Sequence, residues 1–168
     1  TPIVAIPVYG RSADNIRDHR HVTSLLHRID TKECGVEVTP VLSFDERGHQ
    51  KNDTTYFVYG FTAEGNAPKE FYPTVESFIG EGGSFLIPEA VRVEKTGCTA
   101  GCHLEGKEAV GAFRFERRKL KANESIEYVV LAGATGEKAS ISKICTLFGT
   151  KEQAENELVK VKKYWTEK

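Results

Sequence analysis

Apolar and polar positions alternate in short runs over most of the chain, a period of two that suits half-buried strands. Ile3 to Val8 alternates weakly and is bounded by Pro7 and Gly10. Val36-Glu37-Val38-Thr39 leads into Val41-Leu42-Ser43-Phe44, and Pro40 between them marks a bulge or a sheet edge. Thr54 to Phe61 is rich in Thr, Tyr, Phe and Val, and it stops at the turn composition Ala63-Glu64-Gly65-Asn66. Ala109 to Glu116 alternates, with Val110, Ala112 and Arg114 opposite Gly111, Phe113 and Phe115. Ile126 to Ala132 is a further strand, reached through the turn-like Lys121-Ala122-Asn123-Glu124. Ser84 to Val93 reads as extended chain broken at Pro88. Val22, Leu25, Leu26 and Ile29 fall at helical spacing, yet they also suit a strand buried on both faces. The strand reading is preferred, because Thr31 to Gly35 then forms a hairpin link to Val36. Turns recur too often for βαβ units, so the pattern predicts a mainly β, antiparallel sandwich.

The last part of the chain changes period. Ala139 to Phe148 reads as a short helix stopped by Gly149. Thr150 is placed as an N-cap, with Gln153 completing a capping box. Ala154, Leu158, Val161 and Trp165 then share one helical face, and Lys160, Lys162, Lys163 and Lys168 gather where the helix dipole favours cations. The apolar stripe needs a partner surface. Its earlier turns are expected on the β body, with Trp165 as the free end. The division is therefore a β-sandwich domain over residues 1–136 and a helical linker over 137–168.

Composition narrows the classes. The 168 residues carry 23 basic and 24 acidic side chains, a net charge of -1. Bulk attraction to nucleic acid or an anionic membrane has no basis in that balance. No apolar run approaches the roughly 18 residues of a membrane span, and no signal peptide opens the chain. Four cysteines without a secretory signature read as free thiols, which suggests the cytoplasm. Cys98, Cys102 and His103 could supply three zinc ligands, but no fourth is near and Gly97 and Gly101 suggest a small-residue loop. No metal or cofactor is expected. The chain lacks methionine and begins Thr1-Pro2 inside an apparent strand, which reads as a piece of something longer.

The richest polar stretch runs from Arg11 to His21. Arg11, Asp14, Arg17, Asp18 and His19 are the groups suited to hydrogen-bonding a sugar or a phosphate. The plainer reading is a loop whose Arg and Asp residues pair with one another. His19 and His21 alternate as strand residues do, but they have no further ligand candidates. In Phe44-Asp45-Glu46-Arg47-Gly48-His49, neighbouring carboxylates diverge from the backbone, so a charged hairpin turn is preferred to glycosidase chemistry. Glu46 with His49 is the one pair that a sugar-anomerising site could use. Gly80-Glu81-Gly82-Gly83-Ser84 lacks the Lys-Ser/Thr of a P-loop and reads as a tight turn. Arg114 to Lys121 suits a strand with one solvated face. No G-x-S-x-G elbow occurs. Tyr56, Tyr59, Phe71 and Tyr72 are available for an aromatic sugar platform, with Tyr56 and Tyr72 the chosen candidates. No complete catalytic set is present.

Longer strings say more. Ala5-Ile6-Pro7-Val8-Tyr9-Gly10-Arg11-Ser12-Ala13-Asp14-Asn15 is followed by Arg17-Asp18-His19-Arg20-His21-Val22-Thr23-Ser24-Leu25-Leu26 and then by Phe44 to His49. Glu76-Ser77-Phe78-Ile79-Gly80-Glu81-Gly82-Gly83 and Pro88-Glu89-Ala90-Val91 come next. In order and spacing these resemble the β-sandwich region that precedes the catalytic barrel in glycosyltransferase 36-type proteins, the family 94 glycoside phosphorylases. That group includes cellobiose phosphorylase, β-1,2-oligoglucan phosphorylase and the phosphorylase part of cyclic β-1,2-glucan synthases. The Phe-Ile-Gly element and the Pro-x-Ala-Val step are the landmarks. The resemblance implies a partial galactose-mutarotase-like super-sandwich joined by linker helices to an (α/α)6 barrel. In the family that barrel carries the general-acid Asp and the site for inorganic phosphate, its co-substrate. Expected partners are the downstream barrel, β-linked gluco-oligosaccharides and, at the sandwich, a second copy in a homodimer. Three readings follow: a non-catalytic sandwich domain of such an enzyme, an independent carbohydrate-binding module, or a mutarotase-like epimerase.

Overall fold

The computed structural model describes residues 3–7, 26–45 and 48–167. Ten strands fall among these residues, and every pairing between them is antiparallel. A five-stranded sheet has the order β10 (Tyr128–Thr135), β6 (Thr55–Thr62), β3 (Gly35–Pro40), β2 (His27–Lys32), β8 (His103–Glu105). A three-stranded sheet has the order β1 (Ile3–Pro7), β9 (Ala109–Arg114), β7 (Glu70–Thr74). The third is the hairpin of β4 (Leu42–Asp45) and β5 (Gly48–Lys51). Four helices complete the set: α1 (Val75–Ile79), α2 (Glu89–Arg92), α3 (Lys138–Phe148) and α4 (Lys151–Thr166).

The β2–β3 hairpin turns at Glu33-Cys34, with Lys32 opposite Gly35, as the strand reading of this segment requires. Gly35 has to be small: a Cβ there would lie 2.0 Å from the Val58 carbonyl oxygen and 2.7 Å from the Tyr59 Cα. Ile29, Val36, Val38 and Val58 of the five-stranded sheet meet Phe71, Ala109, Phe113 and Phe115 of the opposing layer in one buried cluster. Glycines let the two sheets close. A Cβ on Gly60 would fall 2.2 Å from the Phe113 ring, and one on Gly111 would fall 2.4 Å from the Val58 Cβ.

Residues Ala109 to Phe113 are buried without a break, because β9 is the middle strand and both its faces are covered. Ala109 and Phe113 face the five-stranded sheet, while Val110 and Ala112 join Tyr72, Val75, Phe78 and Ala90 beneath α1 and α2. The other face of the five-stranded sheet is covered by α3, where Ile141 packs on Phe57, Tyr59 and Phe61. The layers are thus α3, five strands, three strands, and the α1–α2 pair.

Three sequence expectations are corrected. Ser84 to Val93 is not extended: after an isolated Ser84–Ile87 bridge, Pro88 caps α2 with φ -66, a torsion its ring supplies at a helix start. Arg114 to Lys121 is not a strand with a solvated face, because β9 ends at Arg114 and residues 116–121 are exposed loop. The stripe on α4 is seated only at its first turn, where Ala154 is half-buried, and Trp165 is the free end as expected, but the middle of the stripe is uncovered. Leu158 and Val161 are 51% and 53% exposed, and Trp165 is 70% exposed. The helix is held at its start instead. Thr150 and Gln153 form the expected capping box, the Lys151 N–H donates to the Ala63 carbonyl at 3.1 Å, and Lys151 Nζ reaches Glu127. Pro40 stands at the end of an interior strand, where the chain leaves for the β4–β5 hairpin, so it removes no ladder bond from the centre of the sheet. No helix among the described residues is long and apolar enough to cross a membrane.

Candidate functional site

The two landmark strings fold onto each other. Thr74 caps α1 through a reciprocal box with Ser77, at 3.1 Å in both directions. This fixes the helix that points Phe78 into the core beside Tyr72, their rings edge to face at 6.2 Å. Gly80 ends α1 with φ 82, a left-handed torsion that glycine adopts freely. The Gly83 N–H then donates to the Gly80 carbonyl at 3.2 Å and closes the tight turn expected there. A Cβ at Gly80 would meet Glu89 Oε2 at 2.3 Å, so the Phe-Ile-Gly turn and the first residue of α2 are in contact. Ala90 of the Pro-x-Ala-Val step is fully buried in the same cluster as Phe78.

Between the two helices and the glycine turn lies an open cleft of about 440 Å³. Glu76, Glu89, Arg92 and Lys95 line it together with Gly80, Glu81, Gly82 and Gly83. Lys95 Nζ pairs with Glu89 at 3.3 Å, and Lys107 Nζ pairs with Glu76 at 3.1 Å. Carboxylate acceptors and cationic donors on one wall suit hydroxyl-rich or anionic ligands. Ile87, which also lines the cleft, is 68% exposed.

A second polar centre lies at the end of the three-stranded sheet. Glu70 stands directly opposite Arg114 across β7 and β9, and their side chains form an ion pair that is mostly buried. Glu70 also accepts from the Gly97 N–H at 3.0 Å, and the Tyr72 hydroxyl oxygen lies 3.3 Å from it. Burial would raise the Glu70 carboxyl, but the Gly97 N–H and the Arg114 guanidinium outweigh it and hold the group below the usual range. Burial pushes the Tyr72 phenol up to about 12. Its hydroxyl donates to the Lys95 carbonyl at 2.6 Å. The centre joins β7, β9 and the chain entering the Cys98 loop, which is a structural task.

On the far side, a cleft of about 430 Å³ lies between α3 and the β2–β3 turn, lined by Lys32, Cys34, Glu37, Tyr59, Ile141 and Cys145. The Tyr59 hydroxyl donates to Glu37 at 2.5 Å. Burial, then that bond, raises the Tyr59 phenol, and burial raises the Cys34 and Cys145 thiols. All three are held protonated.

Of the residues nominated from sequence, Arg11, Asp14, Arg17, Asp18, His19 and Glu46 lie outside the described residues, as does the side chain of His49. The backbone of β4 and β5 does pair as the hairpin expected around 44–49, with Asp45 opposite Gly48. Tyr56 is half-buried against the inter-sheet cluster. Tyr72 is 1% exposed, on the α1–α2 side of β9. Tyr59 and Phe71 are buried as well. These four rings build two sheets and offer no shared platform, because strand alternation sends them to different core layers. The cleft residues Glu76, Glu89, Arg92 and Lys95 escaped the sequence reading. Glu76 and Glu89 sit within the landmark strings, and that position was the available signal.

Among the described residues, no group of three or more His, Cys, Asp or Glu side chains is arranged to hold a metal ion. His103 turns away from Cys98 and Cys102 to Asp30, at 2.7 Å from Nδ1, and to Glu105, at 3.3 Å from Nε2. The hydrogen bond to Asp30 leads in raising its pKa. The chain matches no family model, and no curated protein matches it.

Proposed function

We propose that the chain is a non-catalytic β-sandwich domain of a larger carbohydrate-active enzyme of the inverting β-glucan phosphorylase kind. In this reading the two packed sheets are part of a galactose-mutarotase-like super-sandwich, and α3 and α4 lead to an (α/α)6 barrel. The barrel supplies the general acid and takes inorganic phosphate and β-linked gluco-oligosaccharide. The sandwich supports it, takes part in the homodimer and lends polar groups near the sugar. The observation that carries the reading is the contact between the Phe78-Ile79-Gly80 turn and the Pro88-Glu89-Ala90-Val91 helix. The strings on which the resemblance rests fold into one unit with a polar cleft between them, as parts of one inherited module would. The exposed α4 stripe supplies an apolar face of the kind a neighbouring barrel covers.

The independent-module reading loses its aromatic platform, since Tyr59, Phe71 and Tyr72 are core residues. Phosphorus NMR and titration calorimetry test the choice. With inorganic phosphate and β-1,2- or β-1,4-gluco-oligosaccharides, the chain is expected to release no sugar 1-phosphate and to give no tight, saturable isotherm. Release of sugar 1-phosphate would overturn the non-catalytic reading. A tight isotherm would move the chain to the binding modules.

A further inference from the structure

We propose that α4 pairs with the α4 of a second copy of this chain, antiparallel about a twofold axis between Val159 and Lys160. Ala154, Leu158, Val161 and Trp165 recur at steps of four, three and four, the spacing of the apolar seam in a two-helix coiled coil. Past the first turn that seam is open, and Leu158, Val161 and Trp165 are its exposed members. From Leu158 onward every described residue of the helix is exposed, so a second helix can lie along it. The inference goes beyond the phosphorylase reading, in which a barrel takes this stripe: here the chain fills it with its own copy.

The charges along the helix point to this occupant. Its first half carries Glu152, Glu155 and Glu157 against one lysine, and its second half carries Lys160, Lys162 and Lys163 against one glutamate over residues 160–167. Turned end for end, a second copy lays its basic half on the acidic half of the first. In the register set by that axis, Leu158 lies beside Val161 of the second copy and Ala154 beside Trp165 of the second copy. The alanine methyl leaves room for the indole, a small side chain facing a large one. On one flank of the seam Glu155 faces Lys162 of the second copy, twice by symmetry. Both charges are available for it. Lys162 has no ion pair among the described residues, and Glu155 has only Lys151, at 3.8 Å. A parallel pair would instead set Trp165 on Trp165 and Ala154 on Ala154, and would bring both β bodies to one end. The seam has four residues per copy against the roughly 20–30 of a standard interface, so the pair is weak.

Sedimentation equilibrium of the whole chain at low salt, from about 10 µM to about 1 mM, is expected to pass from monomer to dimer. Trp165 is the single tryptophan and is exposed in the monomer, so its emission should move to the blue over the same range. Leu158→Asp, at a half-exposed position outside the core, should hold the chain monomeric throughout. Glu155→Lys and Lys162→Glu should each weaken the dimer about fivefold, because like charges then face each other across the seam. The double variant should return to the parent affinity. A monomer at every concentration would overturn the proposal and leave the phosphorylase reading standing. So would a dimer that leaves the Trp165 emission unmoved or that survives Leu158→Asp, since it forms through another face. A double variant no tighter than the singles would overturn it too, because only the antiparallel register brings residues 155 and 162 together. The masses and emission of the native chain decide even if a variant fails to fold.

Discussion

Phe113→Ala is expected to lower the unfolding free energy by about 3–5 kcal/mol, the range for emptying a large aromatic site in a core that relaxes little. Phe113 is fully buried on the middle strand of the three-stranded sheet. Its ring lies against Gly60 of the facing sheet and meets Phe115 edge to face at 5.6 Å and 89°. Neither neighbour can fill the space. Gly60 has no side chain, and Phe115 is itself fixed against Tyr128, ring to ring at 4.3 Å. Since small domains hold about 5–15 kcal/mol in total, the loss is a large share of it. Urea denaturation should show the midpoint fall with an unchanged slope. A loss under about 1 kcal/mol, outside the cavity range, would mean the two sheets do not share this core.

Arg114→Met is the second. Removing the guanidinium leaves Glu70 mostly buried with the Gly97 N–H as its remaining close donor, and the cost is expected at about 2–3 kcal/mol near neutral pH. The pH dependence follows from the sign of the shift. The Glu70 carboxyl is lower in the folded chain than in the unfolded one, so the unfolded state takes up its proton first as pH falls. Its contribution is complete above the unfolded value of about 4.3 and is lost as pH drops through the folded value. The gap in stability between the parent chain and Arg114→Met should therefore narrow on going from neutral pH into acid below about pH 4. A gap that stays constant across that range would show that packing of the Arg114 stem over the Tyr72 ring, 5.7 Å from the guanidinium carbon, is its source.

Local signals were legible where one strong rule governed them. The β2–β3 hairpin, the β6 strand with its turn at Ala63-Glu64, and the Thr150 capping box all stand where the residues place them. Pro88 misled because proline breaks a strand and also starts a helix, and only the burial of Ala90 favours the second outcome. The burial of Tyr59, Phe71 and Tyr72 was not legible, since an aromatic on a strand reads the same whether it faces solvent or a second sheet. How far the α4 stripe stays covered was not legible for a related reason: amphipathic spacing shows that a face wants cover but not which surface covers it. The candidate cleft was half legible. Its glycine turn was read correctly, but Glu76 and Lys107, which are 31 residues apart, meet only after α1 is laid beside β9.

The reading of the chain as a sandwich domain serving a phosphorolytic barrel is tested most directly by the gene itself. Sequencing the reading frame past Lys168 is expected to reveal a long helical segment of (α/α)6 type carrying a general-acid Asp and a phosphate-binding site. A stop codon shortly after Lys168, or a following domain of another class, would contradict it.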